Sequence, residues 1–155
     1  MVSELIDEIT LLTPELPLYL SPYQSKYYHM TRNEEMNMWK NFFQKAHLRS
    51  IDVFAPQDGY GALRAKYRIR QAKQQTKMLT DLMEICHEYS KAKFYLNIEL
   101  FASNGLADLY RVAQQINEAD KLNVEMLSFS FSHYYLVDQP QLFSEYQKLI
   151  KEYYN

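Results

Sequence analysis

The sequence predicts an α/β chain: one helix followed by four strand–helix units whose strands lie parallel in one sheet. Three observations carry this prediction. Stretches with apolar residues at helical spacing alternate with short apolar or alternating runs that read as strands. Helical stretches separate successive strands, and a crossover helix returns the chain to the same end of the sheet, which makes the strands parallel. The length, 155 residues, suits a single domain spanning 1–155, yet falls short of the roughly 250 residues of a complete (β/α)8 barrel.

The elements follow in order. Ser3 to Leu12 reads as a helix, with Leu5, Ile6, Ile9 and Leu12 at helical spacing, and Thr13-Pro14 ends it. Leu16 to Ser21 is the first buried strand, closed by Ser21-Pro22. Asn33 to Leu48 is a helix with Met36, Trp39, Phe43 and Leu48 on its apolar face. Thr31 or Asn33 caps it, and Glu34 and Glu35 in its first turn suit the helix dipole. Residues 50–55 form the second strand, with Pro56-Gln57-Asp58-Gly59 as the turn that closes it.

A long helix runs from about Leu63 to Tyr89, and residues 94–101 form the third strand. In that strand Phe94, Leu96, Ile98 and Leu100 alternate with Tyr95, Asn97, Glu99 and Phe101. Ser103-Asn104-Gly105 is a turn, and Leu106 to Lys121 a helix. Residues 124–132 form the fourth strand, in which Leu127, Phe129 and Phe131 alternate with serines. Pro140 to Tyr153 is the last helix. Parallel sheets are buried on both faces, and the apolar character of these strands fits that expectation. Four such units make either a small open sheet or half of a barrel.

Composition narrows the function. There are 17 basic and 19 acidic residues, a net charge of −2, without the basic field of a nucleic-acid binder. Arg64, Lys66, Arg68, Arg70, Lys73 and Lys77 recur along one helix and read as a solvated outer face. The single cysteine, Cys86, rules out an internal disulfide or a cysteine-based zinc site, and its helical setting marks it as a small core residue. The acidic start of the chain lacks a signal-peptide pattern, and no apolar run reaches a membrane span, so a cytoplasmic chain without membrane partners is expected. No glycine-rich phosphate loop is present, and no metal or cofactor is called for.

In parallel α/β folds, chemistry collects beyond the carboxyl ends of the strands. Those ends deliver Ser21 and Tyr23; Gln57 and Asp58; Asn97 and Glu99; and Ser130, Ser132, His133 and Tyr134. Glu99 stands in an otherwise apolar strand. It is either a carboxylate on a solvated rim or in an ion pair, or a functional group kept in a buried setting. Asp58 serves either as turn chemistry in Asp-Gly or as a strand-end carboxylate. Two carboxylates at neighbouring strand ends are the raw material of glycoside hydrolysis, one as acid and the other as base or nucleophile. The 14 tyrosines suit either packing or stacking on sugar faces.

Four stretches carry a resemblance: Ser21-Pro22-Tyr23, residues 51–62 (IDVFAPQDGYGA), Asn97-Ile98-Glu99-Leu100-Phe101, and residues 128–135 (SFSFSHYY). The chain resembles the C-terminal half of a bacterial family of uncharacterised, glycoside-hydrolase-like TIM-barrel proteins. The resemblance implies that the four strands are the last four of a (β/α)8 barrel. It places Gln57, Asp58, Asn97, Glu99 and Tyr134 at a sugar-binding face and Glu99 in the nucleophile's position. The acid/base partner in such barrels comes from the fourth strand, which has no counterpart in these residues. Two functions are therefore expected. The chain is a polysaccharide-acting half-barrel with Glu99 and Asp58 as carboxylates and Gln57, Asn97, His133, Tyr134, Tyr23 and Ser21 holding the carbohydrate. Otherwise it is a non-catalytic module that pairs with a second copy or an N-terminal half through its open sheet edges.

Overall fold

A computed structural model describes residues 2–22, 30–45, 51–58, 68–102, 105–106, 109–130 and 137–154. The elements are α1 (Val2–Leu12), β1 (Tyr19–Leu20), α2 (Arg32–Lys45), β2 (Val53–Phe54), β3 (Gln57–Asp58) and α3 (Arg68–Tyr89). They continue with β4 (Lys93–Glu99), β5 (Phe101–Ala102), β6 (Gly105–Leu106), α4 (Leu109–Leu122), β7 (Met126–Ser130) and α5 (Pro140–Tyr154). The fold is α/β, with four parallel strand lines alternating with helices in a single parallel sheet.

β2 and β3 belong to one line. Val53 pairs with Lys93 and Gln57 with Asn97, so the register against β4 is unbroken. This corrects the turn expected at Pro56–Gly59: Gln57 and Asp58 continue the strand. Proline donates no hydrogen bond, but its carbonyl still accepts one, and Asn97 N donates to Pro56 O at 3.2 Å. The strand lines lie side by side in chain order. Right-handed crossovers in one direction put the connecting helices on one face of the sheet, unlike a doubly wound fold, whose strand order reverses.

Local chemistry sets the element ends. Thr13 N bonds back to Ile9 O as α1 stops. Thr31 and Glu34 form a capping box: Glu34 N donates to Thr31 Oγ1 at 3.3 Å, and Thr31 N donates to Glu34 Oε2 at 2.7 Å. The Thr31 hydroxyl also donates to Glu34 Oε2, at 2.7 Å, and together with the Thr31 N–H it holds the Glu34 carboxyl below its ordinary range. Asn123, at φ 52°, takes the left-handed turn after α4 that asparagine tolerates. Pro140 opens α5, where its missing N–H costs nothing.

Several boundaries differ from expectation. The first strand is Tyr19–Leu20 and not 16–21, with Leu16 58% and Tyr19 51% exposed and so not buried, and the fourth begins at Met126 and not at 124. The third strand ends at Glu99, and Phe101–Ala102 turns into an antiparallel pairing with Gly105–Leu106. The following helix consequently begins at Leu109 and not at Leu106.

The core lies between the sheet and its helices. Phe54 is fully buried, with its ring 4.9 Å from Trp39, 5.1 Å from Phe43 and 6.1 Å from Phe94. Leu79, Leu82 and Cys86 from α3, and Val112 and Ile116 from α4, complete it. Cys86 is fully buried as expected, and burial pushes its thiol up. Lys77, the member of the basic stretch whose side chain is described, is 70% exposed. Arg32 on α2 forms an ion pair with Asp81 on α3.

Candidate functional site on the polar sheet face

Residues of a strand alternate between its two faces. On β4, Phe94, Leu96 and Ile98 are fully buried toward the helices. Tyr95, Asn97 and Glu99 take the opposite face. The same split holds on β7, where Leu127 and Phe129 pack into the core while Ser128 and Ser130 alternate with them. The face away from the helices therefore carries Tyr19, Ser21, Gln57, Tyr95, Asn97, Glu99, Ser128 and Ser130, beside the apolar Val53, Ala55 and Met126. It is a mixed face rich in polar groups, where a second wholly apolar face was expected of this sheet. Tyr19 is 51% exposed, and Gln57, Asn97, Ser128 and Ser130 are half-buried.

This face is curved. Asn97 Nδ2 donates to Ser21 Oγ at 3.3 Å, with a strand between them. The hydroxyls of Tyr19 and Ser128 lie 3.3 Å apart with two strand lines between them. A flat sheet would hold the first and fourth strands roughly 14 Å apart, three spacings of about 4.8 Å. The sheet thus curls toward its polar side, bringing residues distant in sequence together in a trough.

At the carboxyl end of the trough sits Glu99, 1% exposed, with Ser130 as its register partner. Its burial removes the solvated-rim reading. Asn97 Oδ1 and Ser130 Oγ are buried with no hydrogen-bond partner among the described residues. A buried carboxylate flanked by two unused polar atoms can take hydroxyl groups of a bound molecule, because buried polar atoms gain by being satisfied.

The sequence-predicted site residues divide three ways. Ser21, Gln57, Asn97 and Glu99 share the trough. Asp58, described through its backbone, is the register partner of Ile98, whereas Gln57 is the partner of Asn97. Tyr23, His133 and Tyr134 lie outside the described residues. Sequence reasoning did not single out Tyr19 and Ser128 as site residues, although the serine alternation in 126–130 was a signal for Ser128.

A cavity of about 600 Å3 lies elsewhere, between α3 and α4, lined by Thr76, Lys77, Thr80, Asp81, Glu84, Glu118 and Lys121. Burial pulls the Glu118 carboxyl up, but hydrogen bonds from Lys121 and Thr76 outweigh it and hold the group below its ordinary range. This groove belongs to the helix layer and is remote from the strand ends. Among the described residues, no helix is long and apolar enough to cross a membrane.

Fold and site together define a parallel α/β domain with a polar, carboxylate-bearing trough on the sheet face opposite its helices. The chain belongs to a family described as a domain of unknown function, DUF4434, whose model matches residues 1–144. No curated protein and no solved structure matches the chain significantly.

Proposed function

We propose that this chain is a glycoside-hydrolase-like half-barrel that acts on or binds a polysaccharide through its polar trough. The observation that carries the reading is Glu99, buried at the carboxyl end of a central strand beside Asn97 and Ser130. Strand ends are where parallel α/β enzymes keep their chemistry. A carboxylate held there among hydroxyl and amide groups suits glycosidic bond cleavage, with Glu99 as nucleophile or base; Asp58, whose register partner Ile98 faces the helices, is set by strand alternation on the other face.

The curvature supports the half-barrel. Extending the register from Tyr19–Val53–Lys93, Asn97 stands two residues beyond the level of Ser21, two strands away. Counted the same way through Tyr95–Met126, Ser128 stands four residues beyond the level of Tyr19, three strands away. A (β/α)8 barrel with shear 8 displaces its interior layers by about one residue per strand.

The test is hydrolysis of a panel of plant, fungal and bacterial polysaccharides, scored by released reducing ends. Glu99→Gln is expected to lower any activity by about 10²- to 10⁴-fold, the range for loss of a positioned acid–base group, with an unchanged circular dichroism spectrum. Undiminished hydrolysis in that variant removes Glu99 from the mechanism.

A second reading, a non-catalytic half-barrel that binds carbohydrate or associates through its sheet edges, is favoured by one observation. The outer edges of β1 and β7 pair with no other strand among the described residues.

A further inference from the structure

The carboxyl end of the trough presents oxygen acceptors to whatever enters it. Glu99, 1% exposed, is the last residue of β4, and Ser130 stands beside it one strand spacing away, about 4.8 Å. Asn97 lies two residues before it on the same face, about 7 Å along the strand. The amide of Asn97 commits Nδ2 to Ser21 Oγ, which leaves Oδ1, the acceptor, on the other side. Asn97 Oδ1 and Ser130 Oγ are buried without a hydrogen-bond partner among the described residues. A carboxylate, an amide oxygen and a hydroxyl oxygen are thus neighbours in one buried corner. Among the described strand residues of this face the one cation is Lys93, six residues before Glu99 and about 20 Å along the strand. That exceeds the screening length of about 8 Å at physiological salt.

A sugar hydroxyl gives one hydrogen to such a set and carries no charge. An ammonium group gives three hydrogens, has no lone pair to set against an acceptor, and offsets the carboxylate's charge. Charge-assisted hydrogen bonds are about twice as strong as neutral ones, and a buried charge is stable when it is paired and bonded. Resting on the reading that the trough takes carbohydrate, we infer that its carboxyl end recognises a protonated amine, and that the ligand is a polysaccharide with free amino sugars. Glu99 supplies the charge, and Asn97 Oδ1 and Ser130 Oγ supply the two further acceptors. Neutral sugars enter the trough more weakly. N-acetylated sugars gain nothing over them, because acetylation leaves one N–H and no charge. Uronic acids and other anionic chains are repelled by Glu99.

The test is a series of three β-1,4-linked hexasaccharides that differ only in the group at carbon 2 of each sugar: glucose with a hydroxyl, N-acetylglucosamine with an amide, glucosamine with an ammonium group. Binding to the full chain is measured by calorimetry at about pH 6, where amines are protonated, and in about 0.15 M salt, which screens exposed surface acids. Backbone amide shifts locate it. The glucosamine hexamer is expected to bind about 10- to 100-fold more tightly than the other two and to shift Asn97, Glu99 and Ser130. Glu99→Gln removes the charge at nearly constant shape and should bring the glucosamine hexamer down to the glucose value. Ser130→Ala removes one acceptor and should weaken the glucosamine hexamer by about tenfold while leaving the glucose hexamer nearly unchanged. Equal or weaker binding of the glucosamine hexamer in the trough overturns the amine inference and leaves the carbohydrate reading standing. A glucosamine preference that survives Glu99→Gln, with shifts on the helix layer, is surface attraction of a polycation and overturns it too. Failure of every hexamer to move the trough amides overturns the carbohydrate reading, and with it this inference.

Discussion

The two faces of the sheet are built from the same strands by alternate residues, and they have opposite characters. Phe94, Leu96 and Ile98 are fully buried beneath the helices. Their neighbours Tyr95, Asn97 and Glu99 line a trough where Asn97 Oδ1 and Ser130 Oγ lack a hydrogen-bond partner among the described residues. Packing belongs to the first face, and the chemistry proposed for this chain to the second. A fold that needed only to be stable would fill both faces of a parallel sheet with aliphatic side chains. Keeping a carboxylate and several amides and hydroxyls on one face costs folding energy, since buried polar groups contribute only when satisfied. The expense is understandable where a ligand satisfies them.

Substitutions can break or sharpen this contrast. The largest effect is expected on the helix side: Phe94→Ala removes a fully buried ring packed against Phe54. It should cost about 3–5 kcal/mol, read from the midpoint of urea unfolding. On the trough side, Asn97→Ala removes the bond to Ser21 and should cost about 1 kcal/mol, far less than its neighbours Leu96 and Ile98. A loss at Asn97 as large as that at Phe94 would mean that the trough is structural. Smaller still is Tyr19→Phe, which removes one half-exposed hydroxyl contact and should cost about 0.5–1 kcal/mol. Cys86 reports the closed side without mutation. Burial keeps its thiol raised and neutral, so an alkylating reagent at pH 8 should label it only as fast as the protein unfolds. Rapid labelling under native conditions would show that the helix layer opens.

Most of the architecture was legible in the sequence because periodicity survives folding. The helix stripe of Trp39 and Phe43, the alternation of 94–99 and the cap at Thr31, one of the two candidates, all appear where the pattern put them. The Pro56–Gly59 turn was misread because proline and Asp-Gly are turn chemistry in isolation, while the register with β4 is a tertiary fact. The polar face was half legible: alternation separated Asn97 and Glu99 from Phe94 and Leu96 but did not say which side the helices would cover. The closeness of Tyr19 and Ser128, 109 residues apart in sequence, follows from the curl of the sheet, and no local pattern encodes it. The carboxylate Glu99 was recognisable as out of place in an apolar strand, but its depth of burial comes from packing alone.

The central claim is that the trough binds carbohydrate. It is tested most directly by backbone amide chemical-shift mapping of the full chain during titration with β- and α-linked glucose, xylose and N-acetylglucosamine hexasaccharides. The account predicts that at least one of them shifts amides at Ser21, Gln57, Asn97, Glu99 and Ser130 and leaves those of α3 and α4 unmoved. Shifts confined to the helix layer, or none with any oligosaccharide of the panel, would contradict it.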